Sequence, residues 1–254
     1  MNLIRSFFIA FSMYSKIPMP KTDWTKEAMR YAMCFFPLVG AVIGFLLLGW
    51  NWLGSRYFGY DSLFFVIVCV LLPVAVTGGI HLDGLLDTAD ALSSYKPMEE
   101  KLAILKDSHA GAFAIIVCAC YFLADLAVYS ELSAEAAPVL ALSFVLSRAF
   151  SGLSVVSFRM AKNTGLAATF SDMALKGRVR IVMVAYIVVC ALGMLVISPV
   201  LGLAGFLGAL SVFLFYRRMA YKKFGGITGD LAGFFLQICE LITAACIVLA
   251  AKFL

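Results

Sequence analysis

The chain has 254 residues, 63% of them hydrophobic and 14% charged, with a formal net charge of +5, and its mean hydropathy is +0.98. Soluble domains stay nearer half apolar, so this composition excludes a water-soluble globular protein and predicts an all-α, polytopic membrane bundle. The basic excess has the form of a positive-inside bias and gives no sign of a nucleic-acid partner.

In chain order, the first element is "LIRSFFIAFSMYSKIPMP". Its apolar part is too short to span, it carries no signal-peptide cleavage pattern, and Pro18 and Pro20 stop it. It is expected to be a retained interfacial or re-entrant helix. Seven spans follow, at about residues 32–53, 61–79, 112–129, 137–157, 181–197, 200–216 and 231–251. Each approaches the ~20 residues that a helix needs to cross the hydrocarbon core. The fifth and sixth are separated only by Ser198–Gly202 and should form a tight hairpin. No internal repeat or second domain is evident, so residues 1–254 read as one membrane-embedded domain. The seven cysteines all fall within spans and make no C-x-x-C pair, so neither a disulfide framework nor a zinc site is expected.

Basic residues orient the spans. Arg5, Lys16, Lys21, Lys26 and Arg30 precede the first, and Lys96, Lys101 and Lys106 follow the second. Arg159, Lys162, Lys176, Arg178 and Arg180 follow the fourth, and Arg217, Arg218, Lys222 and Lys223 follow the sixth. These seventeen fall on one side, against Arg56 and Lys252 on the other, with Arg148 inside a span. The N-terminus and the three long loops should therefore face the cytoplasm, and the C-terminus the outside.

The unusual residues begin at "TGGIHLDGLLDTADAL", Thr77 to Leu92. Gly78 and Gly79 can end the second span and let a new helix start near His81. Asp83, Asp87 and Asp90 then stand at i, i+4 and i+7, on one helical face. Helix capping accounts for Asp83 but not for the other two. Three like charges on one face point to a divalent cation, and hard oxygen ligands suit Mg²⁺, with Mn²⁺ as a substitute. A second set, Asp230, Gln237 and Glu240 in "GGITGDLAGFFLQICEL", shares a face as well. Glu240 lies deep in the seventh span, where a carboxylate is either functional or a tie between helices. Gly225, Gly226 and Gly229 permit close backbone approach near Asp230, a weak phosphate-loop signal.

Cationic groups complement these sets. Lys106, Asp107 and His109 stand at the mouth of the third span. Arg148, buried in the fourth, needs an anion: substrate phosphate, or Glu240 or Asp125. His81 and His109 are the two histidines, each a catalytic candidate or simply a hydrogen-bonding residue. Together these groups suit metal-assisted chemistry on a phosphorylated substrate. The competing reading is a polytopic transporter or ion-translocating protein built on Arg148 and Glu240.

At these residues the chain resembles the cobalamin synthase, or adenosylcobinamide-GDP ribazoletransferase, family. Its first signature is matched from Gly78 through Asp90. A basic-Asp-Ser segment ending in glycine is matched by Lys106, Asp107, Ser108 and Gly111, with His109 where many members have arginine. Further matches are Ser147 with Arg148, Gly165 with Leu166, and Gly225, Gly226, Thr228, Gly229 and Asp230 with the downstream Glu240. The early "KIPMP" and "FFPLVGAVIG" are also similar to family segments, with Lys16 where arginine is usual.

The resemblance implies a Mg²⁺-dependent transferase acting late in coenzyme B12 assembly. A ribose hydroxyl of α-ribazole, or of α-ribazole 5′-phosphate, would attack adenosylcobinamide-GDP, and GMP would leave. Asp83, Asp87, Asp90 and Asp230 would supply metal binding and the base. His81, Lys106, Asp107, His109, Arg148, Gly225, Gly226, Thr228, Gly229 and Glu240 would hold substrate. The expected partners are the two substrates and the lipid bilayer, with room for a homo-oligomer or for association with other late cobalamin-pathway enzymes.

Overall fold

The computed structural model describes residues 2–60, 62–107 and 109–254. The chain forms α1 (Asn2–Tyr14), α2 (Lys26–Met29), α3 (Ala32–Tyr57), α4 (Leu63–Thr77), α5 (Ile80–Ser93) and α6 (Met98–Ile104). It continues with α7 (Ala112–Ser130), α8 (Ala137–Ser157), α9 (Leu166–Met173), α10 (Lys176–Ile197), α11 (Pro199–Phe224) and α12 (Gly229–Ala251). Among the described residues the extended backbone amounts to one isolated bridge, Met160 to Ile227.

Six of these helices, α3, α7, α8, α10, α11 and α12, are long and apolar enough to cross a membrane among the described residues. The second expected span is α4, and the break expected at Gly78 and Gly79 follows it. α4 has 15 residues, about 22 Å of rise, and α5 leaves its direction by 95°. With three aspartates in its 14 residues, α5 lies outside the apolar spans. The fifth and sixth spans are longer than their apolar cores suggested, because α10 and α11 continue into the basic segments as helices of 22 and 26 residues. Arginine and lysine are good helix formers, so leaving the apolar layer does not end a helix. The expected hairpin is present: Ser198 accepts from the Leu201 N–H and Pro199 opens α11.

α8 is the central helix, and nearly its whole circumference is buried. Lipid is as apolar as leucine, so burial alone does not drive helices together; close van der Waals packing at small residues does. α3 packs antiparallel to α8 at such points. A Cβ on Gly44 would stand 2.6 Å from the Ala141 carbonyl oxygen. α10 and α11 meet at Gly202, where a Cβ would lie 2.5 Å from the Met194 backbone. Outward-facing side chains are large and apolar, among them Phe45, Ile115, Ile181 and Val196, as a lipid-facing surface requires.

The basic loops all meet at one end of the bundle. There the Lys16 N–H donates to the Val76 carbonyl and the Leu175 N–H to the Arg30 carbonyl. Arg159 Nε donates to the Gly225 carbonyl, and Lys162 Nζ to the Leu102 carbonyl at 2.7 Å. Lys252 and Glu131 pair at the opposite end.

Candidate active site

Gly78 and Gly79 both have left-handed backbone, φ +67° and +79°, which L side chains reach only at a cost. Two such residues in succession turn the chain sharply and aim α5 across the basic end of the bundle. α12 begins beneath it. Thr228 Oγ1 accepts the Leu231 N–H at 3.2 Å, and Asp230 occupies the first turn, where the helix dipole favours a negative charge. The two helices cross at glycines: a Cβ on Gly84 would lie 2.6 Å from the Asp230 carbonyl oxygen, and one on Gly233 2.9 Å from that of His81. The first and last acidic motifs are thereby brought together.

At this crossing Asp83 is exposed, while Asp87 and Asp230 are half-buried. Partial burial, and after it the charges of Asp83, Asp230 and Asp90, push the Asp87 carboxyl up to about 6. Asp90 is differently engaged. Its two oxygens accept the Gly111 N–H at 2.5 Å and the Ala114 N–H at 2.9 Å, so it caps α7 from a neighbouring helix. The face is therefore split in function: Asp83 sits in the first turn of α5, as expected, while Asp90 caps α7. Among the described residues no three carboxylate, histidine or cysteine groups converge into a closed metal cage.

Beside the crossing lies a cavity of about 530 Å³. Asp83, Asp230, Thr228, Gly229, Lys106 and Lys162 line its polar side, and α1, α3 and α8 its apolar side. Lys162 is half-buried. Burial and the Lys106 charge lower its pKa, against a weaker pull from Asp230. The wall also holds His81, 5% exposed, with neither ring nitrogen partnered among the described residues. Burial, then the Arg148 charge, pushes its imidazole down to about 3, so it is neutral.

Other expected site residues fall elsewhere. Arg148 and Glu240 do not line the cavity. Arg148 Nη1 donates to Glu240 Oε1 at 2.6 Å and to the Phe144 carbonyl at 2.9 Å, and Ser147 Oγ donates to the same Glu240 oxygen at 3.1 Å. They are 1% and 7% exposed and form a buried pair between α8 and α12, one of the partnerships the sequence left open for Arg148. Each satisfies the other's charge where lipid and protein exclude water. Asp107 and His109 face solvent and bond each other, Nδ1 to Oδ1 at 2.7 Å. His109, through its ring and then its backbone N–H, holds the Asp107 carboxyl below its usual range. Gly225 is the left-handed cap of α11. Gly226 packs so closely on the 159–161 backbone that a Cβ would meet the Arg159 carbonyl oxygen at 2.5 Å. These two glycines build a turn, not a phosphate cradle. Ser108 lies outside the described residues.

Sequence reasoning missed several contributors. Lys162, whose loop the basic-residue pattern put on the same side as the acidic motifs, reaches the cavity itself, which the pattern alone did not specify. Tyr14 and Phe36 lie on separate elements, yet both line the cavity. Gly84 and Gly233 decide the helix crossing, and their small size amid large neighbours was the available signal.

Residues 6–248 match the family described as CobS, cobalamin-5-phosphate synthase. A protein from Lachnoclostridium phytofermentans named adenosylcobinamide-GDP ribazoletransferase is 48% identical over 253 residues, 98% of this chain and 95% of that one. Proteins of the same name from Fusobacterium nucleatum and Clostridium botulinum are 32% and 31% identical, covering 94% and 95% of this chain and 95% and 96% of their own lengths. No solved structure matches the chain.

Proposed function

The chain belongs to the cobalamin-5-phosphate synthase family, and we propose from this that it is an adenosylcobinamide-GDP ribazoletransferase. It moves the adenosylcobinamide phosphate of adenosylcobinamide-GDP onto α-ribazole or α-ribazole 5′-phosphate and releases GMP. The observation that carries this reading is the single cavity shared by Asp83 of the first motif and Thr228, Gly229 and Asp230 of the last. The family assignment replaces the transporter alternative.

The acceptor's ribose oxygen forms a bond to the phosphorus next to the corrinoid linker, and the bond from that phosphorus to the bridging oxygen breaks. GMP departs with the bridging oxygen. The hydroxyl proton passes to Asp83 or Asp230, the two carboxylates on the cavity. Lys106 and Lys162 bring positive charge to the phosphates from the same cavity.

The donor set fits Mg²⁺. Asp83, Asp87 and Asp230 are hard oxygen donors, and partial burial, with like charge after it, lets Asp87 hold a proton to about 6. A Mg²⁺ site uses one or two carboxylates and keeps positions for water and phosphate, so an open arrangement suits it better than a cage. Bound there, the ion supplies Lewis-acid stabilisation of charge on the departing phosphate. Asp90 serves this site as a positioning residue by fixing α5 against α7.

We place the basic end of the bundle, and with it the cavity, on the cytoplasmic side of the cell membrane, from the positive-inside bias. The direct test is to incubate the purified protein in detergent with Mg²⁺, adenosylcobinamide-GDP and α-ribazole. GMP is the expected product; no GMP with active substrates refutes the assignment.

A further inference from the structure

Besides the carboxylates and lysines, the cavity has a wall that phosphoryl transfer leaves unused. Met33, Phe36, Val155 and Leu236 make it apolar, and each is at most 4% exposed. Set into it is His81, 95% buried by its 5% exposure. Its ring lies nearly parallel to Tyr14, with centroids 6.1 Å apart and planes at 15°, and 5.8 Å from Phe36. Ser151 also reaches this wall. Neither His81 nitrogen has a partner among the described residues, and a buried polar group without one is costly and rare.

We propose that this wall binds the base of ribazole, with His81 donating a hydrogen bond to the base's free ring nitrogen. The proposal rests on the transferase reading above and names the subsite within it.

The match is one of polar inventory. A neutral imidazole offers one N–H donor and one acceptor. The ribazole base is flat, bicyclic and largely apolar. One of its ring nitrogens carries the ribose, and the other keeps a free lone pair. One donor therefore meets one acceptor, and the rest of the base meets Phe36, Tyr14 and aliphatic side chains. Guanine, the other base in the reaction, presents a carbonyl, a ring N–H and an amine on one edge. Most of these would stay unmet against this wall, at a cost for each. The corrinoid is too bulky for a cavity of about 530 Å³. With the base turned inward, the ribose points toward Asp83 and Asp230, where its hydroxyl must react. His81 is then a specificity residue, selecting acceptors that keep the free nitrogen.

The test compares two acceptors in GMP-release assays with Mg²⁺ and adenosylcobinamide-GDP: α-ribazole, and its indole counterpart with C–H in place of the free nitrogen. Wild-type protein should show a KM for the indole compound about tenfold or more above that for ribazole. The His81→Leu variant should raise the ribazole KM to the indole level and leave the KM for adenosylcobinamide-GDP unchanged. The His81→Asn variant, which retains an N–H donor, should recover part of the discrimination. Equal KM values for the two acceptors in wild type overturn the proposal, and this comparison stands even if a variant does not fold. An effect of His81→Leu confined to adenosylcobinamide-GDP also overturns it, in favour of the guanine. If wild type releases no GMP with ribazole, the transferase reading itself fails and takes this proposal with it.

Discussion

Gly84 packs directly against Asp230: a single added carbon at Gly84 would stand 2.6 Å from the Asp230 carbonyl oxygen. Backbone-to-backbone contact of this kind fixes the spacing of the two acidic motifs more tightly than long side chains would. The contact cannot relax by rotating a side chain, because both partners are main chain. The Gly84→Ala variant should therefore separate α5 from α12 and cut GMP release by about a hundredfold, as a displacement of roughly 1 Å does in a positioned site. Its helix content by circular dichroism should stay unchanged. Normal turnover in this variant would mean that the crossing does not set the active geometry.

Asp83 and Asp90 should separate cleanly. Asp90 caps α7 through two backbone N–H groups, so Asp90→Ala should lower stability by about 1 kcal/mol and reduce activity with it. Asp83 faces the cavity and is exposed, so Asp83→Ala should leave the melting curve in detergent unchanged and abolish GMP release. Thermal melts and product assays on both variants check this. An unchanged melt for Asp90→Ala would remove its capping role.

Arg148 and Glu240 make a pair with Nη1 and Oε1 2.6 Å apart. Removing one partner strands a buried charge, and Arg148→Met should cost about 3–5 kcal/mol. The double variant Arg148→Met/Glu240→Leu should recover most of the lost stability, together with substantial GMP release. Recovery of the melt without activity would show that the pair serves the substrate after all.

Asp87 gives a pH signature. Its folded-state pKa of about 6 lies above its ordinary 3.8, so between those values the folded protein binds more protons than the unfolded chain. Stability of the metal-free protein should therefore fall as pH rises through this window. Mg²⁺ should raise the melting temperature more at pH 7 than at pH 5, and Asp87→Asn should flatten both trends. A chelator of divalent cations should stop turnover, with Mg²⁺ or Mn²⁺ restoring it and a zinc-selective chelator having no effect. Restoration by zinc alone would exclude the magnesium reading.

Orientation can be read with single cysteines in a background lacking the seven native ones. A cysteine at Asn163, exposed at the basic end of the bundle, should resist an impermeant thiol reagent added to intact cells. One at Phe253, exposed at the opposite end, should be labelled. The reverse pattern would turn the protein over in the membrane.

Composition and period are local properties, and the sequence by itself determined what depends on them. Six spans, the hairpin at Ser198, the break at Gly78 and Gly79, and the shared register of Asp83, Asp87 and Asp90 all follow from hydropathy, glycine and helical spacing. The family resemblance was legible for the same reason, because its motifs are short and contiguous. Tertiary structure decided everything that needs two distant segments to meet. Only the fold could show that Asp90 is engaged by Gly111 and Ala114, or that Arg148 chooses Glu240 over Asp125. The same holds for the cavity, where Tyr14 of α1, Phe36 of α3 and Lys162 of a later loop converge. A buried charge or an orphaned imidazole declares that a partner is needed, whereas helix packing at Gly84 and Gly233 decides which group comes close enough to be one.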